Sequence, residues 1–199
     1  MTFIKITLAA ALGVIIASAA MAQAPTRVRG TIEKVDGAVL TVKAGEGGDV
    51  KITMAPNAQV LGVVKATLAD IKPNSFIGVG AMPQPDGTQK AIRVTIFAES
   101  MRGIGEGHRP WEMPGSTMTN GTVDAISVKS VDGQVLTVKY KDGEKKILIT
   151  PESVILGYVE GSKDELKPGA NIAAVATKNP DGTLQSARVN VGRDGVVPQ

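Results

Sequence analysis

The sequence predicts an all-β fold of two small tandem barrels, and three observations carry that expectation. Short runs of Val, Ile, Leu and Thr lie between Gly, Asp and Pro punctuators at intervals of about 8 to 12 residues, the pattern of a β-sandwich or barrel. A segment of some seventy residues then returns in the second half of the 199-residue chain with its punctuation intact. Asp36-Gly37 followed by Val39-Leu40-Thr41-Val42-Lys43 recurs as Asp132-Gly133 followed by Val135-Leu136-Thr137-Val138-Lys139. Leu61-Gly62 recurs as Leu156-Gly157, and Pro85-Asp86-Gly87-Thr88 as Pro180-Asp181-Gly182-Thr183. Third, no cysteine is present, so each domain must be held by an apolar core.

The elements follow in order along each copy. Arg27 to Val35 alternates in part, and Asp36-Gly37 is a hairpin signal because glycine accepts positive φ at little cost. Val50 to Met54 alternates strictly, with Val50, Ile52 and Met54 on one face, and Lys146 to Thr150 is its counterpart. One helical turn interrupts the strands, signalled by the capping-box patterns Thr67-x-x-Asp70 and Ser162-x-x-Glu165. Each turn is stopped by Lys72-Pro73 or Lys167-Pro168, since proline disfavours helix in the residue before it. Phe76 to Met82 and Lys90 to Phe97 form a second hairpin across Pro85-Asp86-Gly87. Its counterpart joins Ile172 to Thr177 and Gln185 to Val191 across Pro180-Asp181-Gly182. A five- or six-stranded barrel of OB type accounts for this order, and closure hides edges that open sheets this short would expose.

The expected organisation is a signal peptide over 1–22, barrel repeats over 27–97 and 118–192, a Gly/Pro/Met connector over 98–117 and a tail over 193–199. Lys5, the apolar run Ile6 to Ile16 and the small residues Ala20 and Ala22 are a charged region, a hydrophobic region and a cleavage site in turn. Cleavage after Ala22 in a bacterium predicts a periplasmic or secreted product with no remaining membrane span. A formal charge of +3 without a concentrated basic run, and an aromatic content of 3%, argue against nucleic acid.

The Gly-Thr strand starts Gly30-Thr31 and Gly121-Thr122, the Asp-Gly-x-x-Leu-Thr-Val hairpins, the acidic-apolar-Lys-Pro turns and the closing Asp-Gly-Thr hairpins resemble an exported bacterial family, domain of unknown function 5666. The resemblance covers both copies and implies OB-like barrels, often in tandem, in an exported setting, with no enzymatic activity attached. The second copy departs by about five residues over Ile126 to Ser130, which lengthen a loop or the first hairpin.

The stretch Ala98 to Asn120 is not repeated, and its composition differs. The chain's one histidine, His108, and one tryptophan, Trp111, sit here with Met101, Met113 and Met118. Soft thioether and imidazole ligands suit Cu(I), and a tryptophan face can lie against such a cation. His108, Met113 and Met118 with Trp111 as a cap are therefore a candidate Cu(I) or Ag(I) site, similar in residue order to the site of periplasmic copper/silver efflux chaperones. Against it stand a packing role, in which Trp111 with Met113 plugs the crevice between the barrels, and docking of a partner; Met101, Arg109 and Trp111 are the expected lining of that interdomain or ligand crevice. Glu106 and Glu112, the nearest carboxylates, are expected to be solvated.

Other motifs are explained locally. Gly103 to Gly107 lacks the lysine and the strand-to-helix setting of a phosphate loop. Ser116 has no second histidine to serve it. Asp36, Asp86, Asp132 and Asp181 precede glycines in turns, and Asn120-Gly121-Thr122 is read as a turn. Arg93 and Arg188, at equivalent positions, pair with Asp86 and Asp181, bind an anion, or form a solvated strand face, the last being the expectation. The functional expectation is a non-enzymatic exported binding or envelope accessory protein, needing no cofactor, with an unknown small ligand or envelope protein as partner. The alternative is Cu(I)/Ag(I) handling through the connector.

Overall fold

The computed structural model describes residues 25–130 and 133–198, so the signal peptide expected over 1–22 and the turn residue Asp132 lie outside the described residues. Twelve strands form one continuous sheet. In chain order they are β1 (Thr26–Asp36), β2 (Val39–Lys43), β3 (Asp49–Lys65), β4 (Phe76–Pro83), β5 (Gln89–Ile96), β6 (Gly107–Pro110), β7 (Thr117–Ser130), β8 (Gly133–Tyr140), β9 (Gly143–Ile149), β10 (Val154–Glu160), β11 (Asn171–Lys178) and β12 (Leu184–Gly192).

The predicted punctuators act where they were expected. Gly37 has φ +57°, and Asp36 pairs with Val39 across a two-residue turn. In the later hairpins Asp86 and Asp181 each accept the backbone N–H of the threonine two residues on, at 3.0 Å and 2.9 Å. The helical turns are single 3-10 turns, Leu68–Asp70 and Lys163–Glu165, each entered through its capping box. The five additional residues lengthen the hairpin, since β7 runs through Ser130, which pairs with Gly133. Asn120 to Thr122 is not a turn but lies within β7, where all three residues pair with β4.

The strands close into two circuits, and here the barrel boundaries differ from the repeat boundaries. β1 pairs with β2, β2 with β3, β3 with β12, β12 with β11, and β11 returns to β1. β7, β8, β9, β5 and β4 close the second circuit. Residues 27–97 therefore do not close a barrel by themselves, nor do 118–192. Each barrel takes three strands from one copy and two from the other. The strand order, with a parallel pairing where the third strand meets the last (β3–β12, β5–β9), is that of an OB barrel built from both copies.

The physical reason is a seam that self-closed barrels would lack. β3 and β10 pair antiparallel, with Leu61 opposite Glu160, Val63 opposite Tyr158 and Lys65 opposite Leu156, a register symmetric about the equivalent residues Val63 and Tyr158. Equivalent strands of the two copies present the same apolar faces, so exchange costs the cores little while the seam adds ladder pairs.

Each barrel has its own core. One gathers Ile32, Leu40, Val42, Ile52, Ile172 and Val189, the other Ile77, Val79, Val94, Leu136, Val138 and Ile147. The helical turns plug the barrels they lead into: Ile71, from the first copy, packs in the core built around β7 to β9, and Leu166 in the other. Alternation along β4 leaves Gly78 and Gly80 on the outer face of their barrel, which positions the site described below.

Arg193 ties the seam to the second helical turn. Its Nε donates to Glu165 Oε2 at 2.7 Å, its Nη2 to the Glu160 carbonyl at 2.8 Å, and its guanidinium covers Gly62. The Arg193 hydrogen bonds, helped by the Ser162 N–H, hold the Glu165 carboxyl at about 2. A depressed folded-state value stabilises above the unfolded value near 4.5, and the contribution is lost as pH falls from there towards 2. With Arg193 37% exposed, solvent screening reduces it to about 1 kcal/mol. Urea unfolding should therefore show Arg193→Ala less stable than the parent at pH 7, with the difference narrowing by about 1 kcal/mol at pH 2.

Candidate functional site

The non-repeated connector is not a free linker. It begins with a 3-10 turn, Glu99–Met101, and then adds β6, which pairs with β7 (His108 opposite Thr119, Arg109 opposite Met118). Paired residues share a face and neighbours alternate, so His108 and Met118 point to opposite sides of this ribbon. His108 Nδ1 lies 2.8 Å from Thr119 Oγ1, and its ring stacks on Tyr140 at 6.2 Å. Burial, with help from the Lys145 charge, lowers its pKa and favours the neutral ring at pH 7.

Met113 sits in the turn after β6 and is 43% exposed. The thioethers of Met113 and Met118 and the imidazole of His108 are thus not brought together, because nearness in sequence says nothing about which face of a strand a side chain takes. Met101 is buried in its 3-10 turn and does not line the crevice between the barrels. Ser116 closes the turn, its Oγ donating to the Met113 carbonyl at 2.6 Å and its carbonyl accepting the Trp111 N–H at 3.0 Å. Among the described residues no three His, Cys, Asp or Glu side chains are grouped to hold a metal.

Arg109 and Trp111 do face the crevice. It is a cleft of about 480 Å³ between the outer face of β4 and β5 on one barrel and that of β11 and β1 on the other. Gly78, Gly80 and Thr95 line one wall, Ala173, Val175 and Asn190 the other, and Tyr158 from the seam lies between. These walls correspond across the repeat, Gly78 with Ala173 and Gly80 with Val175. What fills them does not. Trp111 lies on Gly80 so closely that a β-carbon there would be 2.4 Å from the indole, and Phe97 covers Gly78 in the same way. The connector occurs once, so nothing equivalent to Trp111 covers Val175, which is 54% exposed. Gly80→Val is expected to push Trp111 off its seat, seen as a red shift of the single-tryptophan emission with little change in far-ultraviolet circular dichroism.

Charge is as asymmetric as shape. Arg27, Arg29, Arg93 and Arg109 line the cleft against one carboxylate, Glu112, an excess equal to the formal +3 of the whole chain. Glu112 is not simply solvated: its Oε1 accepts from Arg27 Nη1 and, at 3.1 Å, from Arg29 Nη2. All three side chains are at least 40% exposed, so the cluster contributes only ~0–1 kcal/mol per pair. The Arg93 guanidinium lies 5.6 Å from the Trp111 ring centroid, and burial lowers its pKa while the Glu112 charge opposes that. Tyr158 stacks on Phe97 at 5.8 Å, and burial raises its phenol pKa against the pull of Arg188, Arg93 and Arg29. Its oxygen accepts from Asn190 Nδ2 at 3.3 Å, while Asn190 Oδ1 and Arg188 Nε are buried without a partner among the described residues.

Arg27 and Arg29 do not stand out in the sequence. Their signal was there: two arginines at i and i+2 on a strand share one face, but so do the arginines of any solvated strand. The equivalence of Arg93 and Arg188 was visible, and the structure brings both within electrostatic reach of Tyr158. Comparison with known family models, curated proteins and solved structures finds no match.

Proposed function

We propose that this chain is a non-enzymatic exported binding protein whose ligand seat is the cleft between the two barrels. The observation that carries this reading is the convergence of both walls, the connector and four arginines on one opening. A cleft of about 480 Å³ has the size of a small-molecule site, and mixed apolar walls with a few polar groups are what such sites present. The engagement of His108 with Thr119 and Tyr140, away from this opening, favours binding over acid–base chemistry. The leader-like residues 1–22 support export to the periplasm or beyond.

The test fills the cleft from its open wall. Val175 points outward from its barrel, so Val175→Phe should leave the melting temperature within about 2 °C of the parent. A panel of neutral, cationic and anionic organic compounds is screened by calorimetry against both proteins. Compounds that bind the parent should bind Val175→Phe at least about tenfold more weakly. Equal binding to both proteins would move the seat elsewhere.

A further inference from the structure

We infer that the cleft takes a small aromatic anion, a planar ring carrying one carboxylate or phosphate, and that the connector dipeptide Trp111-Glu112 is a built-in likeness of it. The inference rests on the cleft being the ligand seat and adds the ligand's chemistry. Consecutive residues place an indole on the flat wall at Gly80 beside Arg93, and a carboxylate on Arg27 and Arg29. The chain thus already shows what this surface holds: a ring against a wall of small residues and an oxyanion on paired guanidinia.

The second half of the pattern is the uncovered wall. Val175 corresponds to Gly80, and its exposed side chain with Ala173 offers an apolar wall over which a ring would lie, raised off the backbone that Trp111 touches at Gly80. Arg27 pairs directly opposite Val175 and Arg29 opposite Ala173, which puts the guanidinia beside such a ring on the same outer face. A ligand oxyanion would there displace Glu112 from Arg27 and Arg29, and the exposure of that cluster makes the exchange cheap.

The experiment is calorimetry on the mature chain with four probes: benzoate, phenyl phosphate, benzamide as the uncharged ring, and acetate as the anion without a ring. Benzoate or phenyl phosphate should bind at least about tenfold more tightly than benzamide or acetate, and the tighter of the two names the oxyanion. Glu112→Gln, which removes the resident competitor, should tighten the anionic ring probe several-fold. Arg29→Gln should weaken it about tenfold without a change in melting temperature, and added salt should weaken it in the parent. Benzamide binding as well as benzoate, with Glu112→Gln inert, would overturn the anion inference while leaving the cleft as the seat. Binding of the ring probes undiminished in Val175→Phe would overturn the seat itself. No binding of any probe to the parent or to Glu112→Gln would overturn the aromatic-anion inference alone, because the wider compound panel still tests the cleft.

Discussion

Leu136→Ala is expected to lower the free energy of unfolding by about 3 kcal/mol and to weaken both barrels in one transition. Leu136 lies on β8, is fully buried, and packs with Ile77, Val79, Val94, Val138 and Ile147. Truncating a leucine in such a setting loses its transfer free energy and leaves a cavity that closed strands on all sides cannot collapse into. The sharper expectation is cooperativity. The barrel around Leu136 is tied to the other through β3, β10 and the crossing helical turns, so losing β4 and β5 pulls on the segment between β3 and β4 that carries Ile71 and on the seam. Urea unfolding followed by Trp111 emission, which reports the β4 face, and by far-ultraviolet circular dichroism should give superimposable curves with a lowered midpoint. Separate midpoints would show that the barrels unfold independently.

Gly30→Ala should cost about 3 kcal/mol, a large penalty for a single methyl group. A β-carbon at Gly30 would lie 2.0 Å from the Lys43 carbonyl oxygen, and at the equivalent Gly121 it would lie 2.3 Å from that of Lys139. The obstacle in each case is backbone of the adjoining strand, which no rotamer change can move. Gly30 lies where β1 bends from pairing with β11 to pairing with β2, just before a register shift between Ile32 and Lys34. Chemical denaturation of Gly30→Ala and Gly121→Ala would check the pair, and the two losses should be similar because the contacts are. A cost below about 0.5 kcal/mol would mean the strand crossing is looser than the geometry indicates.

These glycines show how much was legible in the chain itself. The Gly-Thr pairs were visible as a repeated motif, though each lies inside β1 or β7 and not at a strand start, and the Asp-Gly turns, the capping boxes and the strict alternation of Val50, Ile52 and Met54 were visible because each is a local signal read over a few residues. Strand partners are not local. β4 and β11 carry equivalent apolar faces, so the pattern is satisfied whichever copy closes the barrel, and only the β3–β10 seam distinguishes the two arrangements. The site divided along the same line. Trp111 and Arg109 stood out by composition and do face the cleft, whereas His108 and Met118, ten residues apart, are set on opposite faces by a pairing that composition does not encode. Arg27 and Arg29 gain meaning only from Glu112, more than eighty residues away.

The exchange of strands also bears on how many ligand molecules one chain holds. Two separate copies of one repeat, paired as the two repeats are here, would form a twofold homodimer whose identical halves would present two identical seats, or none. Joining the copies in one polypeptide replaces that encounter with a fixed, high effective concentration and frees the halves to differ. The connector uses that freedom: it occupies the Gly80 side with its own ring and leaves the Val175 side open. With the cleft as the proposed seat, one chain would hold one ligand, because its two corresponding walls are no longer alike and one of them is already covered.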